Sequence, residues 1–203
     1  MIIPLFPLRT VLFPGGRLPL RIFEQRYLDM AKACFKESGS FGICLIAAGE
    51  EVARPGARPA EPRAVGTLAH IADWDMQQLG VLDIVAQGGE RFRLRRHWVE
   101  ASGLLRGEVD LVESPPVLPV PGPYARLVPL LRAIIADLGN TAAGSVPATP
   151  HRFFDAGWLG MRYAEVLPIP LVARQELLEI EDSIDRLEII YRFLEGKGLL
   201  PDG

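Results

Sequence analysis

The sequence predicts an α+β chain, with a twisted β-barrel or curved sheet carrying one helix, then a helical bundle. Three observations lead there. Up to Glu113 the apolar residues fall in short or alternating runs parted by glycines, as in a barrel. Beyond Pro123 they recur at three and four, the helical period. Between them, "ESPPVLPVPGP" (113–123) holds five prolines, which favour an extended, stiff connector. The expected domains are 1–118, β-rich, and 119–203, helical.

Each element has its own signal. In "RLPLRIF", Leu18, Leu20 and Ile22 share one face and Arg17, Pro19 and Arg21 the other. Pro19 cannot donate to a ladder, so this strand belongs at an edge or a bulge. From Phe23 to Lys36, the residues Phe23, Tyr27, Met30, Ala31 and Cys34 form a helical stripe that Gly39 is placed to end. "FGICLIAA" (41–48) reads as a buried strand, and "VGTLAHIA" (65–72) and "VLDIVAQ" (81–87) follow it. Gly88-Gly89 before the alternating "RFRLRR" gives a hairpin signal, with Phe92 and Leu94 inward and Arg91, Arg93 and Arg95 outward. "GEVDLVE" (107–113) alternates again, while "EEVARPGARPAEPRA" (50–64) reads as a surface loop.

In the second half, Tyr124, Leu127/Val128, Leu131, Ile134/Ile135 and Leu138 mark one stripe, with Pro129 a kink or late start and Gly139 the stop. "TAAGSVPATP" (141–150) reads as a loop, 154–166 as a second helix and "LPIPL" (167–171) as a rigid turn. The last helix takes Asp182 or Ser183 as its cap, buries Ile184, Leu187, Ile190/Tyr191 and Leu194, and ends at Gly196.

Composition narrows the function. The 203 residues are 49% hydrophobic and 23% charged with a net charge of −3, so no global field draws the chain to nucleic acid or an acidic membrane. Cys34 and Cys44 lack the spacing or partners of a metal or redox motif and read as small buried hydrophobes in a reducing compartment. No apolar run is long enough, free of proline and charge, to cross a membrane as a helix. Pro4 and Pro7 interrupt what would be a signal sequence. The expectation is a soluble cytoplasmic protein.

Catalytic motifs are missing. The Gly196-Lys197 pair runs into glycine rather than a phosphate-loop hydroxyl, and there is no Gly-x-Ser-x-Gly elbow. His70, His97 and His151 are scattered, without zinc spacing. Lys32 and Lys36 fall on the polar face of the first helix, a poor setting for a Ser–Lys dyad. The carboxylates of "ELLEIEDSIDRLE" (176–188) read as a solvated face and a cap, with Asp185, Arg186 and Glu188 in weak ion pairs. The expectation is no enzyme, no cofactor, no metal and no catalytic residue.

Taken together, the quoted pieces carry a resemblance. "LFPLRTVLFPGGRLPLRIFEQRYLDM" (5–30), "VGTLAHI", "GGERFRL" and "LPIPLVARQELLEIEDSIDRLEIIYRFL" (167–194) resemble, in order, the N-terminal substrate-binding domain of the Lon proteases. In the first piece Pro14 and Gly15 suit a tight reversal, and Glu24 with Arg26 would pin the helix start. The resemblance implies a fold related to the PUA-like barrels with an appended helix pair. It also implies a stand-alone form, because the ATPase and peptidase modules of full Lon proteases have no counterpart here.

The function so implied is non-catalytic binding of unfolded or partner polypeptide in protein quality control, as substrate recognition or as an adaptor to a separate protease. An apolar groove, expected where the sheet meets the helical half, would take up the peptide. Trp74, Met76, Trp158 and Met161 are the candidate contact residues, offering area and plasticity, against a plainer role in the core. The alternative is an RNA-binding protein using Arg91, Arg93, Arg95 and Arg96, with nucleic acid disfavoured by the acidic chain. The apolar stripes of the helical half would serve internal packing or a homo-oligomer equally.

Overall fold

A computed structural model describes residues 1–37, 39–52, 58–140 and 150–201. The chain divides into two compact units, Met1–Glu113 and Ser114–Gly203, the cut falling at the leading end of the proline-rich stretch.

In the first unit, β1 (Ile2–Leu8) runs parallel to β3 (Phe41–Ala48) and antiparallel to β6 (Leu105–Leu111). β4 (Glu61–Gln78) joins β3 to β5 (Val81–Val99), and β5 pairs with β6, so these five strands close on themselves. β2 (Arg17–Ile22) adds to β5 at the end of the strand order, the edge position that Pro19 requires.

Closure makes two apolar layers. Inside the barrel lie Ile3, Leu5, Cys44, Leu68, Phe92, Leu105 and Val109. Outside, α1 (Gln25–Glu37) presses Tyr27, Met30, Ala31 and Cys34 onto Phe6, Phe41, Ile43, Leu82 and Ile84. β1 and β3 feed both layers from alternate residues, which is why they read as unbroken apolar runs. Glycines make room for the interior. A Cβ on Gly66 would stand 2.5 Å from Phe92 Cζ and 2.6 Å from the Ile43 carbonyl oxygen, and one on Gly107 2.6 Å from Leu94 Cδ1.

The Gly88-Gly89 pair is not a hairpin turn. β5 runs straight through it, exchanging β2 for β6 as its partner. Gly88 exchanges hydrogen bonds with the preceding turn, donating to the Gly16 carbonyl (2.9 Å) and accepting from the Gly15 amide (2.8 Å). A Cβ there would meet the Phe13 carbonyl oxygen at 2.3 Å, so close backbone approach explains the glycine. The true β4–β5 turn is Leu79-Gly80, with Gly80 at φ 82°. Phe23 lies outside α1 and is exposed.

The second unit is helical: α2 (Leu127–Asn140), α3 (Ala156–Val166), α4 (Leu171–Glu179) and α5 (Ser183–Gly196). Pro129 sits in the first turn of α2, a late start rather than a kink, and Gly139 lies within that helix. The expected loop 141–150 falls outside the described residues save for Pro150. Asp155 caps α3 by accepting from the amides of Gly157 (2.9 Å) and Trp158 (3.3 Å), so that helix begins after Phe154. α3 is buried from Trp158 through Ala164 and lies against α5, where a Cβ on Gly160 would stand 3.1 Å from Arg186 Cδ.

Asp182 caps α5, accepting from the amides of Ile184 (2.7 Å) and Asp185 (3.1 Å). Arg186 departs from the solvated-face expectation. It is fully buried, its Nε donates to the Leu177 carbonyl (2.9 Å), and its Nη2 donates to that of Ile180. Among the described residues, no helix is long and apolar enough to cross a membrane.

Candidate functional site

The long β4–β5 hairpin projects its tip past the barrel, and its sequence decides which side chains reach solvent. "DWDMQQL" alternates, so Trp74 and Met76 share one face and Asp73 and Asp75 the other. Trp74 stands opposite Ile84, which in turn stands opposite Leu20, so the three side chains share a face. Near the barrel that face is covered by α1; toward the tip it is open. Trp74 is 58% exposed, Met76 45% and Phe35 of α1 42%. The Trp74 and Phe35 rings lie 5.5 Å apart at 57°. The outer core thus continues to the surface as an open apolar strip, ending at Leu79 on the tip.

The opposite face of the same strands carries a groove of about 380 Å³ bordered by Pro19, Arg21, Asp73, Asp75, Asp83 and Val85. Arg21 and Asp83 pair across it at 3.4 Å. Tryptophan and methionine suit the strip: one offers a large rigid face, the other adapts to irregular apolar partners. A contiguous exposed apolar strip is a candidate interaction surface.

The other two candidates lie elsewhere. Trp158 is 7% exposed and Met161 6%, both on α3 in the second unit, so they pack its interior. Phe153 meets the Trp158 ring edge-on at 5.2 Å. A helix buried on nearly every side leaves them no route to a ligand. Phe35 is not among the candidates read from sequence, although its place beside Trp74 follows from α1 covering that sheet face.

The arginine strand also departs from simple alternation. Arg91 is buried, 4% exposed, rather than outward. A register shift between Leu94 and Arg96 breaks the period, leaving Arg95 and Arg96 both outward. Each meets an acid of β6: Arg95 Nε donates to Asp110, and Arg96 Nε to Glu108 at 2.5 Å. Arg93 stands opposite Asp110 in the ladder. The face is a mixed-charge lattice, without the unbroken positive stripe that nucleic-acid phosphates recruit.

For nucleophilic chemistry the setting is poor. Cys44 lies inside the barrel, where burial pushes its thiol up to about 12, and burial likewise pushes the Tyr27 phenol up to about 12. Both cysteines are buried, and neither is in a disulfide. Lys32 is exposed and pairs with Asp29 at 3.8 Å. Among the described residues, no group of three or more His, Cys, Asp or Glu is placed to hold a metal ion.

Known proteins match along the whole length. The family model described as the ATP-dependent protease La (LON) substrate-binding domain matches residues 2–196. Lon protease 2 of Myxococcus xanthus is 29% identical, the alignment covering 97% of this chain and 24% of the relative. Lon protease of Anaeromyxobacter dehalogenans is 27% identical, with 97% and 23% covered. The chain therefore spans about a quarter of the length of these relatives. The crystal structure of a Lon N-terminal domain protein from Xanthomonas campestris aligns with a TM-score of 0.75 at 32% identity, covering 95% of this chain and 98% of that one. The N-terminal domain of a Mycobacterium avium complex Lon protease aligns with a TM-score of 0.64 at 18% identity, over 96% and 98%, and shares the fold.

Proposed function

This chain belongs to the Lon substrate-binding-domain family, and we propose that it recognises polypeptide without cutting it. The observation that carries this reading is the open apolar strip of Phe35, Trp74 and Met76 on the β4–β5 hairpin. An unfolded segment presents apolar side chains that a folded one hides. The strip gains their burial, about 25 cal/mol per Å² of apolar surface removed from water. Because that term is non-directional, the strip accepts many sequences, as substrate recognition demands. Delivery of the bound chain to a protease, as an adaptor, and a place in cytoplasmic protein quality control belong to the same reading.

The test is a titration of the chain with a reduced, carboxymethylated protein held unfolded, read by anisotropy of a label on the unfolded partner. Saturable binding at micromolar levels is expected, weakened about tenfold by Trp74→Ala. No saturation, or equal binding by Trp74→Ala and Met76→Ala, would sink the assignment. Capture of a protease from native lysate that the Trp74→Ala chain fails to capture would add the adaptor role.

A further inference from the structure

The second unit carries an apolar groove of its own, distinct from the hairpin strip. It lies between α4 and α5 and has a volume of about 210 Å³. Leu177 and Ile190, both buried, make its floor; Ile169, Ala173, Ile189 and Phe193 make its walls. Ile189 is 49% exposed and Phe193 36%. An engineered apolar cavity of about 150 Å³ takes up benzene, so this groove has room for one large side chain.

What surrounds the groove indicates the partner. Residues 1–113 hold fourteen acidic and fourteen basic side chains, and residues 114–203 hold eleven and eight. The whole net charge of −3 therefore lies in the second unit. Between 171 and 196 seven carboxylates face three guanidiniums, and all three guanidiniums are engaged within the unit. Arg186 is turned inward to two carbonyls, Arg174 donates to the Leu167 carbonyl at 3.0 Å, and Arg192 pairs with Glu188. Glu176 lines the groove itself, and Asp185 lies one turn before Ile189 on the same side of α5.

We infer that the α4–α5 groove docks a cationic amphipathic segment of another polypeptide. An apolar anchor would fill the cavity, and Lys or Arg side chains would meet Glu176 and Asp185. Helix-in-groove recognition uses anchors at i, i+3, i+4 and i+7, and complementary charge fixes register and speeds encounter. A second copy of this chain is disfavoured, because each copy would bring the same acidic rim to the other. The site is separate from the hairpin strip and does not depend on it.

The experiment uses the full chain and two fluorescein-labelled 14-residue peptides with leucines at that spacing, one filled with lysine and one with glutamate. The lysine peptide should bind saturably and at least tenfold more tightly than the glutamate peptide. Phe193→Asp should weaken it about tenfold, and Glu176→Lys with Asp185→Lys should reverse the preference. Trp74→Ala should leave it unchanged. If Phe193→Asp loses its helical circular dichroism, the charge-reversed pair carries the test. Equal affinity for both peptides, indifference to the charge reversal, dependence on Trp74, or a dimer that the lysine peptide fails to dissociate would overturn the inference.

Discussion

Replacing Gly66 by alanine should be among the most damaging single methyl additions to the barrel, and the cost follows from the distances. Carbon atoms pack best at about 3.5–4.0 Å. The new Cβ would stand 2.5 Å from Phe92 Cζ, 2.6 Å from the Ile43 carbonyl oxygen and 2.9 Å from Cys44 Sγ. Phe92 is wholly buried, and the Ile43 oxygen belongs to the backbone of β3, so neither can yield without moving a strand. Overpacking costs about 1–3 kcal/mol, and this contact belongs at about 3 kcal/mol. Gly107→Ala meets only the ends of Leu94 and Leu5 and should cost about 1–2 kcal/mol. Gly89→Ala, with its nearest neighbour at 3.5 Å, should be neutral or gain a few tenths of a kcal/mol from lost unfolded-state freedom. Amide hydrogen exchange of β3 to β5 reads the barrel separately from the helical unit. Unchanged protection in Gly66→Ala, or an equal loss in Gly89→Ala, would refute the packing argument.

Three further outcomes are expected. Trp158→Ala should lose about 3–5 kcal/mol in urea unfolding, whereas Trp74→Ala should lose less than about 1 kcal/mol, because only the first opens a cavity. Arg186→Ala should cost about 2–5 kcal/mol by removing the donors to the Leu177 and Ile180 carbonyls, and Arg186→Lys should recover part of that, as followed by helical circular dichroism during denaturation. The third concerns Cys44, whose thiol is raised from 9.0 to about 12 in the fold. The unfolded chain therefore loses this proton first. The stabilisation is complete below pH 9 and disappears toward pH 12, at up to about 1.4 kcal/mol per pH unit. Urea midpoints measured from pH 8 to 11 should fall less steeply in Cys44→Ala, with Tyr27 leaving a residual slope.

Strands and helices with a clear period or an unbroken apolar run were legible in the sequence. β2 and β3 announce themselves through period or apolar run, α5 through its cap and stripe, and the edge place of β2 through Pro19. Where local chemistry and tertiary need diverge, the reading failed. Gly88-Gly89 carries a turn signal, yet it serves the approach of the Phe13 carbonyl to a continuous strand. α4 is short and lacks a pronounced apolar stripe, so periodicity alone passed over it, although the family likeness implied a helix pair. Arg186 is of a residue type expected at the surface, and only the carbonyls at the end of α4 call it inward. Trp74-x-Met76 and Trp158-x-x-Met161 look alike as residue pairs. Flanking aspartates on a strand left the first pair open, whereas an all-round apolar helix enclosed the second.

The closing strand pair has a consequence for the chain as it is made. β1 is made well before its neighbour β6, which lies about a hundred residues later, so β1 must wait with one side unpaired. During that interval the nascent barrel presents the same kind of sticky segment that its finished form is proposed to capture.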